Sequence, residues 1–271
     1  MSAAVNRSSR VSKDYYRNPW LLFVITFASI NFCIARLHFC PENPVADLAQ
    51  MIAGHAATPF QYRILIPLAA RSMMLLVGQA GDATDPVKIF FFSEFIFTFL
   101  SLIVALKLLE RLRFSFVQSC IFIMALFFVL NVNYVFSDYL NFRYIYDMPA
   151  LLFALLLIGA MYDGRIRAYY VLFPLALLNR ETAVYLSVLF FLTQRKPLGL
   201  NSALRHCLAQ IAIFVLIKIG LSFAFSGNGG PGALSFYEND YDAAAHHVEN
   251  LRLITNATHC CPVKTRIDSI G

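Results

Sequence analysis

The stretch from Ala168 to Leu192 is apolar on both flanks and interrupted at its centre by Asn179-Arg180-Glu181. A cation and an anion side by side at that depth in hydrocarbon each cost several kcal/mol, so the fold must place them in water, in a pair or on a ligand. No other segment constrains the architecture so tightly, because a plain membrane-crossing helix would strand both charges among lipid chains.

The rest of the chain makes hydrocarbon the relevant solvent. Hydrophobic residues are 59% of the 271, charged residues 14%, and mean hydropathy is +0.62, values that exclude an ordinary soluble domain. The expectation is an all-α, polytopic membrane helix bundle over residues 1–226, followed by a polar external tail over 227–271. The formal charge of +6 is topological and not a nucleic-acid footprint, since the basic residues collect in loops assigned to one face. Cys33, Cys40, Cys120, Cys207, Cys260 and Cys261 have no paired spacing, so neither a disulfide framework nor a zinc site is read from them. The irregular tail group His246, His247, His259, Cys260 and Cys261 gives no metal motif either. Asn256-Ala-Thr258 matches a glycosylation sequon, which matters only in a eukaryotic secretory setting.

Apolar runs predict spans over about 20–39, 87–108, 114–136, 148–162 and 203–225. The run from Trp20 follows a basic leader (Arg7, Arg10, Lys13, Arg17) and lacks a small-residue cleavage site, so it reads as a retained first helix with a cytoplasmic N-terminus. Gln61 to Val77 is expected to lie in the outer interface. Were it to cross, Lys107, Arg111 and Arg113 would fall outside, against the positive-inside bias.

The same bias decides the interrupted segment. A single crossing over 168–192 would put Arg195, Lys196 and Arg205 outside. Two half-helices of about 11 residues, each about 16 Å long at about 1.5 Å per residue, keep both ends cytoplasmic. With Arg165 and Arg167, 12 of the 22 Lys and Arg then lie in cytoplasmic segments. Asn179-Arg180-Glu181 becomes the tip of a broken hairpin near the midplane, tolerable only beside a water-filled cavity or inside protein.

With this topology the unusual polar residues share the outer side: Glu42, Asp47, Arg63, Arg143, Asp147, Arg180, Glu181 and Lys218. Carboxylates that remove a proton and cations that hold a phosphate suit a reaction on a lipid-linked anion. Each has a plainer reading. Asp47 fits the N-cap of a helix beginning Leu48-Ala-Gln-Met51, and Asp147 with Pro149 is an ordinary helix start. Arg63 can snorkel to headgroups. Lys218 can pair inside the bundle, and Arg180 and Glu181 can pair with one another or with a neighbouring helix.

The order of these features resembles the N-terminal module of GT-C type integral membrane glycosyltransferases, the class of the protein mannosyltransferases and the aminoarabinose transferases of lipid A. It rests on a first helix, an external loop carrying Asp47, Pro59-Phe-Gln-Tyr-Arg-Ile-Leu-Ile-Pro67, a second external loop ending Tyr146-Asp147-Met148-Pro149, and Leu178-Asn-Arg-Glu-Thr-Ala183 between short helices. It covers about residues 15–225 as an order of features of low to moderate specificity. The resemblance implies a catalytic acid at Asp47 with Glu42 in reserve, a second acid at Asp147, and donor-phosphate contacts from Arg63, Arg180 and Lys218. The class usually has further helices and often an external C-terminal domain, which leaves this chain as a short member, a fragment or a truncated product.

The expected function is transfer of a sugar from a polyprenyl-phosphate donor to a glycolipid, polysaccharide or protein acceptor at the outer face, in a bacterial inner membrane. The partners are a lipid-linked donor and membrane lipids, without nucleic acid. A divalent cation between carboxylate and phosphate is compatible with these residues, although no dedicated metal motif is present. Two other readings stay open. One is a transporter or flippase built on broken helices, and the other is a non-catalytic membrane subunit that binds lipid-linked intermediates.

Overall fold

The computed structural model of the chain describes residues 18–43, 47–58, 60–76, 86–136 and 142–228. The basic leader and the tail beyond residue 228, with its histidines, cysteines and sequon, lie outside the described residues. No strand forms among the described residues; the fold is helical throughout, with one isolated bridge between Glu42 and Arg143.

Four helices are long and apolar enough to cross a membrane: α1 (Pro19–Phe39), α4 (Pro86–Arg111), α5 (Phe116–Tyr134) and α9 (Leu200–Ala224). Each lies within a few residues of the span expected from apolarity, and local chemistry sets the ends. Asn18 caps α1, its side chain accepting from the Trp20 amide at 3.0 Å ahead of Pro19, which suits the N-terminus because a proline has no amide to satisfy there. A reciprocal capping box starts α5, Ser115 and Gln118 each accepting the other's amide, so α5 begins at Phe116 and not at Phe114.

Between α1 and α4 lie α2 (Leu48–Ala53), a 3₁₀ turn at Phe60–Tyr62 and α3 (Leu65–Leu76), the segment expected to stay in the interface. α6 (Asp147–Tyr162) is a 16-residue helix, about 24 Å long. Gly164, at φ 65, then turns the chain into α7 (Ile166–Asn179), a conformation in which glycine avoids the side-chain clash of the left-handed region.

The interrupted segment does break. α7 ends at Asn179, Arg180 is extended (φ −157, ψ 124), Glu181–Val184 form a 3₁₀ turn, and α8 runs Tyr185–Leu198. Each half has 14 residues, about 21 Å. That exceeds the expected 11 because helix continues over Ile166 and Arg167 and through Gln194, Arg195 and Lys196. The halves fold back alongside each other. Tyr169 and Phe190 stand on either side of the break, and their ring centroids are 4.9 Å apart, whereas a straight helix would separate them by about 30 Å.

Charge contacts define the relative directions of the helices. Arg111 pairs with Asp163 at 2.7 Å at the C-terminal ends of α4 and α6, while Arg36 joins Glu94 and Asp147 toward their N-terminal ends; the two helices therefore run parallel. Gln194 donates to the Met161 carbonyl at 3.0 Å, which puts the end of α8 beside the end of α6. The basic loop residues Arg111, Arg165 and Arg195 thus share one end of the bundle, and the hairpin tip lies at the other. Tyr169, Phe173, Phe190 and Leu157 form a core among α6, α7 and α8. A second apolar cluster, with Leu48, Met51, Ile66 and Phe90, roofs the tip end. α5 is peripheral, with Val117, Met124 and Phe128 exposed, as lipid contact requires of a spanning helix.

Candidate functional site: a charge network at the hairpin tip

The adjacent Arg180 and Glu181 do not pair with each other. Extended backbone at Arg180 sends the two side chains to different partners: Arg180 Nη1 to Asp147 Oδ1 at 3.2 Å, and Glu181 Oε1 to Arg63 Nη2 at 3.3 Å. Asn179 pins the turn from inside the bundle, fully buried and donating to the Tyr146 carbonyl at 2.9 Å. The break therefore lets one short sequence answer two charges on two elements.

Behind Asp147 the network continues where the sequence had raised no flag. Arg36, in the last turns of α1, donates to Asp147 Oδ2 at 3.0 Å and also pairs with Glu94 of α4. Arg36 and Glu94 are 0% exposed and Asp147 4%. The chain Glu94, Arg36, Asp147, Arg180 alternates in sign across α1, α4, α6 and the hairpin, so each buried charge has an opposite neighbour. The signal for Glu94 was available: it is a lone acid inside an apolar run, the same criterion that singled out Arg180 and Glu181. Arg36 was masked by its place near a helix end, where snorkelling accounts for an arginine.

Tyr146, immediately before α6, joins the two halves of the site. Its hydroxyl accepts from Arg63, and the guanidinium carbons of Arg63 and Arg180 lie 4.4 and 6.0 Å from its ring centroid. Tyr144 stacks on Tyr146 at 5.0 Å and Phe60 on Tyr144 at 5.8 Å, an aromatic ladder with cations at its edge and face. Burial pushes the Tyr146 hydroxyl above its ordinary range, against the pull of Arg63; the group stays protonated at neutral pH.

The remaining candidates divide. Lys218 of α9 sits 4.5 Å from the Tyr62 ring and lines a small gap with Glu181, on the side of the network held by Arg63. Glu42 and Arg143 pair with each other, and Arg143 Nη1 also donates to the Leu37 carbonyl at 3.3 Å; this pair clamps the end of α1 to the segment before α6. Asp47 caps α2, its Oδ1 accepting from the Ala49 amide at 3.1 Å, and makes none of the network's ion pairs. Asp147, Arg63, Arg180 and Glu181 are brought together directly, with Lys218 at their margin.

Asp147, Glu181 and Glu42 each already engage an arginine, and among the described residues no three His, Cys, Asp or Glu side chains converge. Beside Arg180 a cavity of about 170 Å³ opens between α6 and the hairpin.

No family model, no curated protein and no solved structure matches the chain. The fold and site define a helical bundle with four helices fit to cross a membrane and a buried charge network at one end.

Proposed function

We propose that the chain transfers a sugar from a polyprenyl-phosphate donor to a hydroxyl of a glycolipid, polysaccharide or protein acceptor, in the manner of GT-C glycosyltransferases. The observation that carries this reading is the convergence of Arg63 and Arg180 on Tyr146 at the tip of a broken helix. Two guanidinium groups, Arg63 partly buried and Arg180 one third exposed, at the edge of an apolar bundle, suit a phosphate attached to a lipid.

In this reading the hairpin is re-entrant, the N-terminus and the basic loops face the cytoplasm, and the network opens to the outer side of a bacterial inner membrane. α3 lies in the outer interface. Asp47 is the general base, because Asp147 has both oxygens engaged by arginines and serves to position Arg180. Asp47 Oδ1 alone is used by the helix cap. Glu42, paired with Arg143, is the reserve acid.

The carboxylate takes the acceptor hydroxyl proton, and the oxygen attacks the anomeric carbon. The bond from that carbon to the phosphate oxygen breaks, and the prenyl phosphate leaves with the electron pair. Arg63 and Arg180 hold its negative charge, and the anomeric centre inverts.

The test is transfer from a labelled glycosyl phosphoprenol by membranes containing the chain, compared with Asp47→Asn. Loss of transfer at wild-type protein level supports the assignment. Full activity in Asp47→Asn removes Asp47 as the base. Donor binding without transfer in the wild type supports the non-catalytic subunit instead.

A further inference from the structure

The buried part of the network does not balance its own charge. Arg36 stands between Glu94 and Asp147, one cation on two carboxylates, and none of the three is more than 4% exposed. Their net charge is therefore minus one. Arg36 is the only cation paired with Glu94 among the described residues, and Glu94 Oε2 has no partner, so no further ion pair alters the count at that end. At the other end Arg180 Nη1 meets Asp147 Oδ1 at 3.2 Å, and its side chain is one third exposed, the most accessible of the four. Arg180 thus has one charge to divide between the buried group behind it and an anion in front of it. The low dielectric around the buried group makes its claim on that charge strong.

We propose, resting on the donor reading above, that Glu94 and Arg36 are positioning residues: acting through Asp147, they set how much of the Arg180 charge is available to the donor phosphate. Both are 0% exposed and lie behind Asp147, out of reach of the donor. Glu94→Gln keeps the shape of the side chain and an acceptor for Arg36 but brings the net charge of the buried group to zero. Arg180 is then released toward the phosphate. Arg36→Gln takes the group to minus two and draws Arg180 inward. Changing both returns it to minus one, carried by Asp147 alone. The two single changes therefore act in opposite directions and the double change cancels them. Side chains that only held α1, α4 and α6 together would behave otherwise, because loss of either partner leaves a buried charge uncompensated. Donor binding would then fall or stay the same in every variant.

The test uses the full chain in nanodiscs and equilibrium binding of labelled glycosyl phosphoprenol without acceptor, with the phosphate-free prenol as a second probe. Glu94→Gln should tighten binding of the glycosyl phosphoprenol about fivefold, and Arg36→Gln should weaken it about fivefold. The double variant should return to within about twofold of wild type, and none of the changes should alter binding of the prenol. In an Arg180→Gln background the gain from Glu94→Gln should disappear. Unchanged or weaker binding by a Glu94→Gln chain that inserts at the wild-type level overturns the proposal and leaves the donor reading standing. Should Glu94→Gln alone fail to insert, a double variant that binds no better than Arg36→Gln overturns it equally. A gain that persists without Arg180 overturns the route through Asp147. Absence of saturable glycosyl phosphoprenol binding by the wild type overturns the donor reading and this inference with it.

Discussion

Arg180 and Glu181 are joined by a peptide bond, yet Arg180 reaches Asp147 at 3.2 Å and Glu181 reaches Arg63 at 3.3 Å. One residue of extended backbone separates two ion pairs that tie the hairpin tip to α6 on one side and to the start of α3 on the other. If the two charges instead satisfied one another, exchanging them would be nearly neutral. The exchange Arg180→Glu with Glu181→Arg would here set carboxylate against Asp147 and guanidinium against Arg63. The expected result is a lower midpoint of thermal unfolding in detergent than either Arg180→Gln or Glu181→Gln gives, and an unchanged midpoint would contradict the divergent pairing.

Arg36 and Glu94 carry the most deeply buried part of the network, and removing one partner of such a pair costs about 3–5 kcal/mol because the other charge is left uncompensated. Glu94→Leu and Arg36→Met should each destabilise the bundle on that scale. The double variant leaves Asp147 paired with Arg180 and should lose less than the sum of the two. A double-mutant cycle by reversible denaturant unfolding measures the coupling; additivity would mean that the two groups do not depend on each other.

Tyr146 separates ring from hydroxyl. Tyr146→Phe keeps the stack with Tyr144 and the contact with both guanidinium groups but removes the acceptor used by Arg63, a loss of about 1 kcal/mol. Tyr146→Ala removes a fully buried ring and should cost about 3–5 kcal/mol. Unfolding midpoints of the two variants, compared with wild type, test this order.

The hydroxyls of half-buried Tyr144 and buried Tyr146 are both raised above their ordinary value of 10.0, chiefly by desolvation. A group that holds its proton more tightly when folded contributes stability below its unfolded pKa and loses it as pH rises through the folded value. The bundle should therefore be insensitive to these tyrosines at neutral pH and weaken above about pH 10. Tyr146→Phe should lessen that alkaline loss. An identical pH profile in the variant would remove Tyr146 as a contributor.

Apolarity made most of the helices readable, because hydrocarbon thickness sets the length of a spanning run and caps such as Asn18 and Ser115 trim its ends. The break at Arg180 was readable for the same reason in reverse, two charges where none are tolerated. Partners were not readable. Arg36 lies 111 residues from Asp147, and only packing of α1 against α4 and α6 brings them together. Glu94 carried the signal of a charge in hydrocarbon but stood alone, and a single charge does not name its counterpart. Asp47 illustrates the opposite limit: the helix cap anticipated from Leu48-Ala-Gln-Met51 is present, and a cap does not by itself decide for or against proton transfer.

The proposed topology puts the basic loops on the cytoplasmic side and opens the hairpin tip and network to the other. Single cysteines at Arg195, Thr182 and Ser226 in a cysteine-free background, probed in intact cells with a membrane-impermeant maleimide, test it directly. Thr182→Cys and Ser226→Cys should label from outside, and Arg195→Cys only after permeabilisation. External labelling at Arg195 would contradict the re-entrant hairpin and, with it, the outward-facing site.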